Sequence, residues 1–183
     1  MSKAAFLDRD GVINRKPPEG QYVTRWEEMH LLPGVAEAIA MLNRNSFRVI
    51  IVSNQRCVAK GLIKIHELES MHKRLRDVLS GAGATIDAVY YCPHEKQPPC
   101  SCRKPAPGML LTAAREHQLD LTRSWMIGDS DIDVEAGRNA GCKTVRLLRG
   151  IGATNDNADV IAPSLLEGIQ QILAADLVEC DRK

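Results

Sequence analysis

Apolar residues are distributed along this chain in two alternating patterns. Near-continuous apolar runs at 3–7, 48–53, 86–91, 124–127 and 143–147 have the length of strands buried on both faces. Between them, apolar positions recur at helical spacing, with Val35, Ile39 and Leu42 following the Pro33-Gly34 break and Leu68, Met71, Leu75 and Val78 marking a second helix. A further helix is expected to begin near Pro107, a last short strand at 159–162, and an amphipathic helix over 165–173 before a polar tail. Strands alternating with helices predict an α/β fold built on a doubly wound parallel sheet. The stretch 14–33 is long and irregular, while the segments after Ser53 and Asp87 leave no space for a large inserted lid. A nearly capless single domain spanning 1–183 is therefore expected, with no repeats or linkers.

Composition narrows the partners rather than the fold. At 183 residues, with 44% hydrophobic and 26% charged positions, the chain is globular with room for a single core. A net charge of +1, scattered lysines and arginines and 4% aromatic residues lack the basic stripe that polynucleotide binding calls for. Small substrates are favoured over nucleic acid. No signal-peptide region and no apolar run long enough to span a membrane are visible. The expectation is a cytoplasmic monomer, and six cysteines suit a reducing compartment better than a disulfide framework.

Chemistry collects where the expected strands end. Asp8-Arg9-Asp10-Gly11 follows the first run, placing two carboxylates two residues apart at the mouth of a parallel sheet, where ligands of open α/β folds bind. Ser53-Asn54 closes the second strand, Lys104 stands just ahead of the helix near Pro107, and Asp129 ends the run 124–127. Asp133 follows four residues later, a spacing that can put it on the same side of a site as Asp129. Each has a plainer reading: turn residues for Asp8 to Gly11, a strand-end hydroxyl for Ser53, a solvated lysine, and first-turn helix acids for Asp131 and Asp133. Their joint occurrence in order is what favours a phosphoryl-transfer site.

A second cluster is Cys92-x-His94 followed by Cys100-x-Cys102, three thiols and an imidazole within eleven residues. Four such ligands meet zinc's tetrahedral preference and leave no open position, so the reading is a structural zinc loop over about 92–102. Pro93, Pro98 and Pro99 would stiffen it. A disulfide or free buried thiols are the alternatives. Since Cys102 lies two residues before Lys104, a metal clamp there would fix the approach of Lys104 and Arg103.

Taken together, Asp8-Arg9-Asp10-Gly11, Ser53-Asn54-Gln55, Cys102-Arg103-Lys104-Pro105 and Asp129 with Asp133 resemble the four motifs of the haloacid dehalogenase superfamily of aspartyl-phosphate phosphatases, over roughly 4–149. Within it, the chain is similar to subfamily IIIA, the heptose bisphosphate and histidinol phosphate phosphatase branch. The resemblance implies a Rossmann-like core, Asp8 as nucleophile, Asp10 as acid and base, and Ser53 with the Asn54 amide holding phosphoryl oxygens. It implies Mg²⁺ on Asp8, the Asp10 carbonyl and Asp129, with Asp133 steering Lys104 or a metal-bound water. Such a site must cancel charge before an anion can attack a phosphate dianion, which is the task of the cation and Lys104. The substrate implied is D-glycero-D-manno-heptose 1,7-bisphosphate, losing its 7-phosphate, with histidinol phosphate the first alternative and an inactive zinc-stabilised binding module the last. Arg56, Lys60 and Arg103 are candidates for a distal phosphate. Cys57 stands where the family pattern has glycine, and a positive φ there would be costly.

Overall fold

The computed structural model of the chain describes residues 1–148 and 157–180, with side chains as far as 175. Six strands form one sheet in the order β3-β2-β1-β4-β5-β6, every pair parallel. They are β1 (Lys3–Leu7), β2 (Phe47–Asn54), β3 (Ala88–Cys92), β4 (Trp125–Gly128), β5 (Lys143–Leu147) and β6 (Val160–Ala162). The helices are α1 (Val35–Arg44), α2 (Ile65–Gly81), α3 (Gly108–His117), α4 (Asp131–Ala140) and α5 (Leu165–Cys180). The expected doubly wound sheet is present, with β1 and β5 at the expected limits and the other strands shifted by one or two residues. The run expected at 86–91 pairs only from Ala88, and Ile86 is buried ahead of the strand.

Side chains alternate across each strand, so one sequence feeds two cores. Ala5 and Leu7 of β1 join Val49 and Ile51 under Val35, Ile39 and Leu42 of α1, Leu79 of α2 and Ile169 of α5. Ala4 and Phe6 face the other way, with Ile50, Val52 and Met126, against Leu110 and Ala113 of α3 and Ala136 of α4. Helices therefore cover both faces, which is why β1, β2 and β4 are apolar along their central positions. One expectation shifts by a single position on α2: Val78 is 43% exposed and Leu79, at 1%, carries the core contact. Both are apolar, and only docking decides which faces the sheet.

The stretch 14–33 is more ordered than its composition suggests. It folds back on itself, with Leu32 N donating to Ile13 O at 2.9 Å and Arg15 N to His30 O at 2.8 Å, and it holds a single 3-10 turn at Trp26–Glu28. Its apolar residues Val23 and Met29 form a third cluster with Cys57 and Ile63 beyond β2 and Leu68 and Met71 of α2. Among the described residues the connections 55–64 and 93–107 contain no strand or helix, so no inserted domain covers the strand ends. Leu79→Ala should cost about 2–5 kcal/mol of unfolding free energy, whereas Val78→Ala should stay within about 0.5 kcal/mol. Urea titration of the two variants checks the assignment.

Candidate active site

Strand order reverses between β1 and β4, and the candidate residues gather in the crevice that this opens at their carboxyl ends. Asp8 follows β1 directly, its amide donating to Ile127 O of β4 at 3.0 Å. The chain then turns at Gly11, whose φ is +96° and whose missing side chain leaves room for the Asp129 carboxylate. A Cβ there would overlap Asp129, so the glycine lets the loop after β1 close on the end of β4.

Lys104 reaches this point from the opposite side. Its side chain is 1% exposed, and Nζ lies 2.8 Å from Asp8 Oδ1, 2.8 Å from Val52 O and 2.6 Å from Asp133 Oδ1. Asn54 clamps the lysine's own backbone, donating from Nδ2 to Lys104 O and accepting at Oδ1 from Lys104 N, both at 3.0 Å. Burial opposes charge on Lys104, yet Asp133 and Asp8 hold it above the ordinary lysine value. Asp8 is pushed up to about 7, chiefly by burial and further by Asp133 and Asp10, with Lys104 pulling the other way. Asp133 serves two purposes at once. Its Oδ2 accepts from Ser130 N at 3.1 Å and from the Ser130 hydroxyl, closing a capping box on α4.

Asp10 is held by donors that sequence reasoning missed. Arg9, fully buried, donates from Nη2 to Asp10 Oδ1 and Oδ2 at 3.0 and 2.9 Å and from Nε to Oδ1 at 3.2 Å. Asn14 Nδ2 donates to Asp10 Oδ1 at 2.8 Å. Gln55 Nε2 donates to Asp10 Oδ2 at 3.2 Å and to Ser53 Oγ at 2.8 Å, tying two candidate residues together. The remaining arm of Arg9, Nη1, lies 3.1 Å from His72 Nε2. A guanidinium only donates, so His72 accepts at Nε2 and is neutral with its proton on Nδ1. Burial, reinforced by Arg9, holds His72 down at about 3. The available signal was a histidine inside the apolar stripe of α2.

The other candidates lie nearer the rim. Asp129 accepts from exposed Lys16 at 3.0 and 2.8 Å, a pair worth at most about 1 kcal/mol. Asp131 points to solvent and pairs with Arg146 at 2.7 Å. Arg56 is committed to Glu95 of the thiol loop at 2.5 Å, and Lys60 Nζ stands 5.5 Å from the centre of the Tyr22 ring. Arg103 donates to His94 O at 3.3 Å and, with Lys96, Lys104 and Ile132, walls a cavity of about 420 Å³. Positive φ occurs, outside glycine, only at Ser46 and Gln118 among the described residues, so Cys57 takes its place without that cost.

The thiol loop brings its four donors together. Cys92 Sγ is 3.6 Å from His94 Nδ1 and 3.6 Å from Cys100 Sγ. Cys102 Sγ is 3.2 Å from His94 Nδ1 and 3.5 Å from Cys100 Sγ. No disulfide joins them, and a tetrahedron on bonds of about 2.0–2.3 Å has edges of about 3.3–3.8 Å, so the donor set fits zinc. Carboxylate oxygens of Asp8, Asp129 and Asp133 form a second group within 4.8 Å of one another, an all-oxygen set that fits a hard cation.

Comparison with known proteins agrees with this geometry. The HAD-hydrolase-like family profile matches residues 101–168. The chain is 41% identical over 160 residues to D-glycero-D-manno-heptose-1,7-bisphosphate 7-phosphatase of Thermosynechococcus vestitus, covering 81% of this chain and 80% of that one. It is 38% identical over 175 residues to the D-glycero-beta-D-manno-heptose-1,7-bisphosphate 7-phosphatase of Rhodopseudomonas palustris, covering 92% of each. The crystal structure of D,D-heptose 1,7-bisphosphate phosphatase from B. bronchiseptica, complexed with magnesium and phosphate, superposes with a TM-score of 0.86 at 32% identity. That superposition covers 94% of this chain and 99% of that one.

Neutral His72 makes a pH prediction. Its folded value of about 3 lies below the ordinary 6.5, so the unfolded chain takes up the proton first. Its contribution is full above pH 6.5 and lost as pH falls toward 3, by up to about 1.4 kcal/mol per pH unit. Raised Asp8 acts in the opposite sense. The unfolding free energy of wild type minus that of His72→Gln should therefore decrease as pH falls through this window, as read from urea titrations.

Proposed function

Because the chain belongs to the HAD-like hydrolases, in the family of D-glycero-D-manno-heptose-1,7-bisphosphate 7-phosphatases, we propose that it removes the 7-phosphate of a heptose 1,7-bisphosphate through an aspartyl-phosphate on Asp8. The observation that carries this reading is the buried Lys104 between Asp8 and Asp133, beside an independently held Asp10. A lysine kept charged next to a carboxylate cancels the repulsion that a phosphate dianion would meet there. Asp8 attacks phosphorus, Ser53 and the Asn54 amide receive the phosphoryl oxygens, and Asp10 protonates the leaving sugar oxygen. Asp10 then deprotonates the water that cleaves the acyl phosphate. Asp8 and Asp129, with the Asp10 carbonyl, would hold Mg²⁺, which supplies further positive charge against the phosphate. Asp133, engaged by Lys104 and its helix cap, acts outside that set.

The cavity beside Lys104 supports a substrate with a second polar end, since Arg103 and Lys96 stand on its wall. Arg56, paired with Glu95, ties the 55–61 loop to the thiol loop instead. The reading includes structural zinc on Cys92, His94, Cys100 and Cys102, and a cytoplasmic location, where the thiolates it needs stay reduced.

Phosphate release with Mg²⁺ from both anomers of D-glycero-D-manno-heptose 1,7-bisphosphate, beside histidinol phosphate, tests the substrate. Turnover of a bisphosphate anomer is expected, with Asp8→Asn losing about 10³-fold or more in kcat; turnover of histidinol phosphate alone would reverse the choice. Metal analysis of the purified protein should find one zinc per chain. Cys100→Ser should lose it and lower the melting midpoint by about 5 °C or more. An unchanged zinc content would refute the assignment.

A further inference from the structure

The carboxylate proposed to move protons, Asp10, owes most of its hydrogen bonds to a residue with no place in the chemistry. Arg9 is fully buried, and a buried guanidinium is tolerated only if its charge is matched and its N–H groups are taken up. Asp10 faces the Nε and Nη2 edge with both oxygens and matches the charge whenever it is not carrying the transferred proton. That edge leaves Nη1, on the far side of the fork, to find a partner elsewhere. His72 supplies it and anchors the fork at a point outside the carboxylate, its neutral Nε2 standing 3.1 Å from Nη1. The imidazole is itself fixed. It is 4% exposed, comes from α2 beside buried Leu68, Met71 and Leu75, and packs against the Tyr91 ring at 5.7 Å between centres.

We propose that Arg9 and His72 are positioning residues that act through Asp10, holding its carboxyl group on the line of the leaving oxygen; the proposal rests on the phosphatase reading above. In the first step the Asp8 oxygen to phosphorus bond forms, the phosphorus to leaving-oxygen bond breaks, and the Asp10 proton goes to that oxygen. In the second, a water oxygen binds phosphorus, the Asp8 oxygen leaves, and the water proton returns to Asp10. Both transfers need one carboxyl oxygen less taken up than the other and aimed. Oδ1 accepts from Arg9 Nε and Nη2 and from Asn14, whereas Oδ2 accepts only from Arg9 Nη2 and, at 3.2 Å, from Gln55, so Oδ2 is the oxygen with room for the transferred proton.

A residue that merely supports the fold would slow every substrate alike, whereas loss of aim at a proton donor falls on esters with basic leaving groups. The test is single-turnover phosphoryl transfer with Mg²⁺ from a series of aryl phosphates of rising leaving-group basicity. Wild-type rates should vary little along the series. His72→Leu should lose about 10-fold or more on the most basic member while staying within about threefold on the most acidic. His72→Gln, which places an acceptor near the same position, should follow wild type. Where His72→Leu does not fold, His72→Asn, too short to reach Nη1, carries the same comparison, and Arg9→Lys repeats it from the other partner. An equal loss on all members, or none, overturns the proposal. Asp10→Asn keeps the two readings apart: a steep series for it with a flat one for His72→Leu refutes only the positioning role. Absence of any Mg²⁺-dependent transfer in wild type refutes the phosphatase reading and this proposal with it.

Discussion

A lysine ammonium group taken out of water is the constraint around which this protein is arranged. The Lys104 side chain is 1% exposed, and an unpaired charge so placed would cost several kcal/mol. It survives because Asp8, Asp133 and the Val52 carbonyl surround it at 2.6–2.8 Å. Those partners come from the ends of β1 and β2 and the first turn of α4, so the ion cluster is satisfied only when the strand ends and the helix converge. Asn54 adds the last restraint by pairing with both backbone groups of the lysine. Fold and site are thus mutually dependent. The same burial that threatens Lys104 pushes Asp8 up to about 7, and charge from the lysine is what favours its anionic, nucleophilic form.

Two loops decide how the site meets its substrate. The thiol loop carries Cys102 two residues before Lys104, so whatever fixes the quartet also fixes the lysine's approach. The 14–33 segment reaches the site through Lys16 on Asp129 and is anchored by its apolar residues on α2 and the loop beyond β2. Among the described residues no inserted domain lies above them, so the strand ends are bordered by these loops alone. In a phosphatase of this family, specificity then has to come from side chains on these short loops, and the cavity walled by Arg103 and Lys96 is where charge is available for it.

What could be read before the structure was what chain-local chemistry encodes. Strands covered on both faces must be largely apolar, so their runs were visible, as were Asp8, Asp10, Ser53 and Asp129 at their ends, Lys104 ahead of α3 and Asp133 in the first turn of α4. The group of three thiols and one imidazole was legible because its four donors are close in sequence and match in number and kind a zinc set. Asp133 could be read either as a helix-cap acid or as a site residue, and in the structure one of its oxygens accepts from the α4 cap while the other meets Lys104. The phase of α2 could not be read, because Val78 and Leu79 are both apolar and only docking on the sheet separates them.

The roles of Arg9, Asn14, Gln55 and His72 belong to tertiary structure alone. Arg9 looks like any surface arginine between two acids until α2, packed beside the end of β1, brings His72 from 63 residues away to its far edge. Gln55 likewise reaches Asp10 across 45 residues. The periodicity of a chain states which face of an element is buried, but not which buried polar group will meet which. That choice is made by packing, because a donor or acceptor excluded from water must find its partner among whatever neighbours the fold supplies.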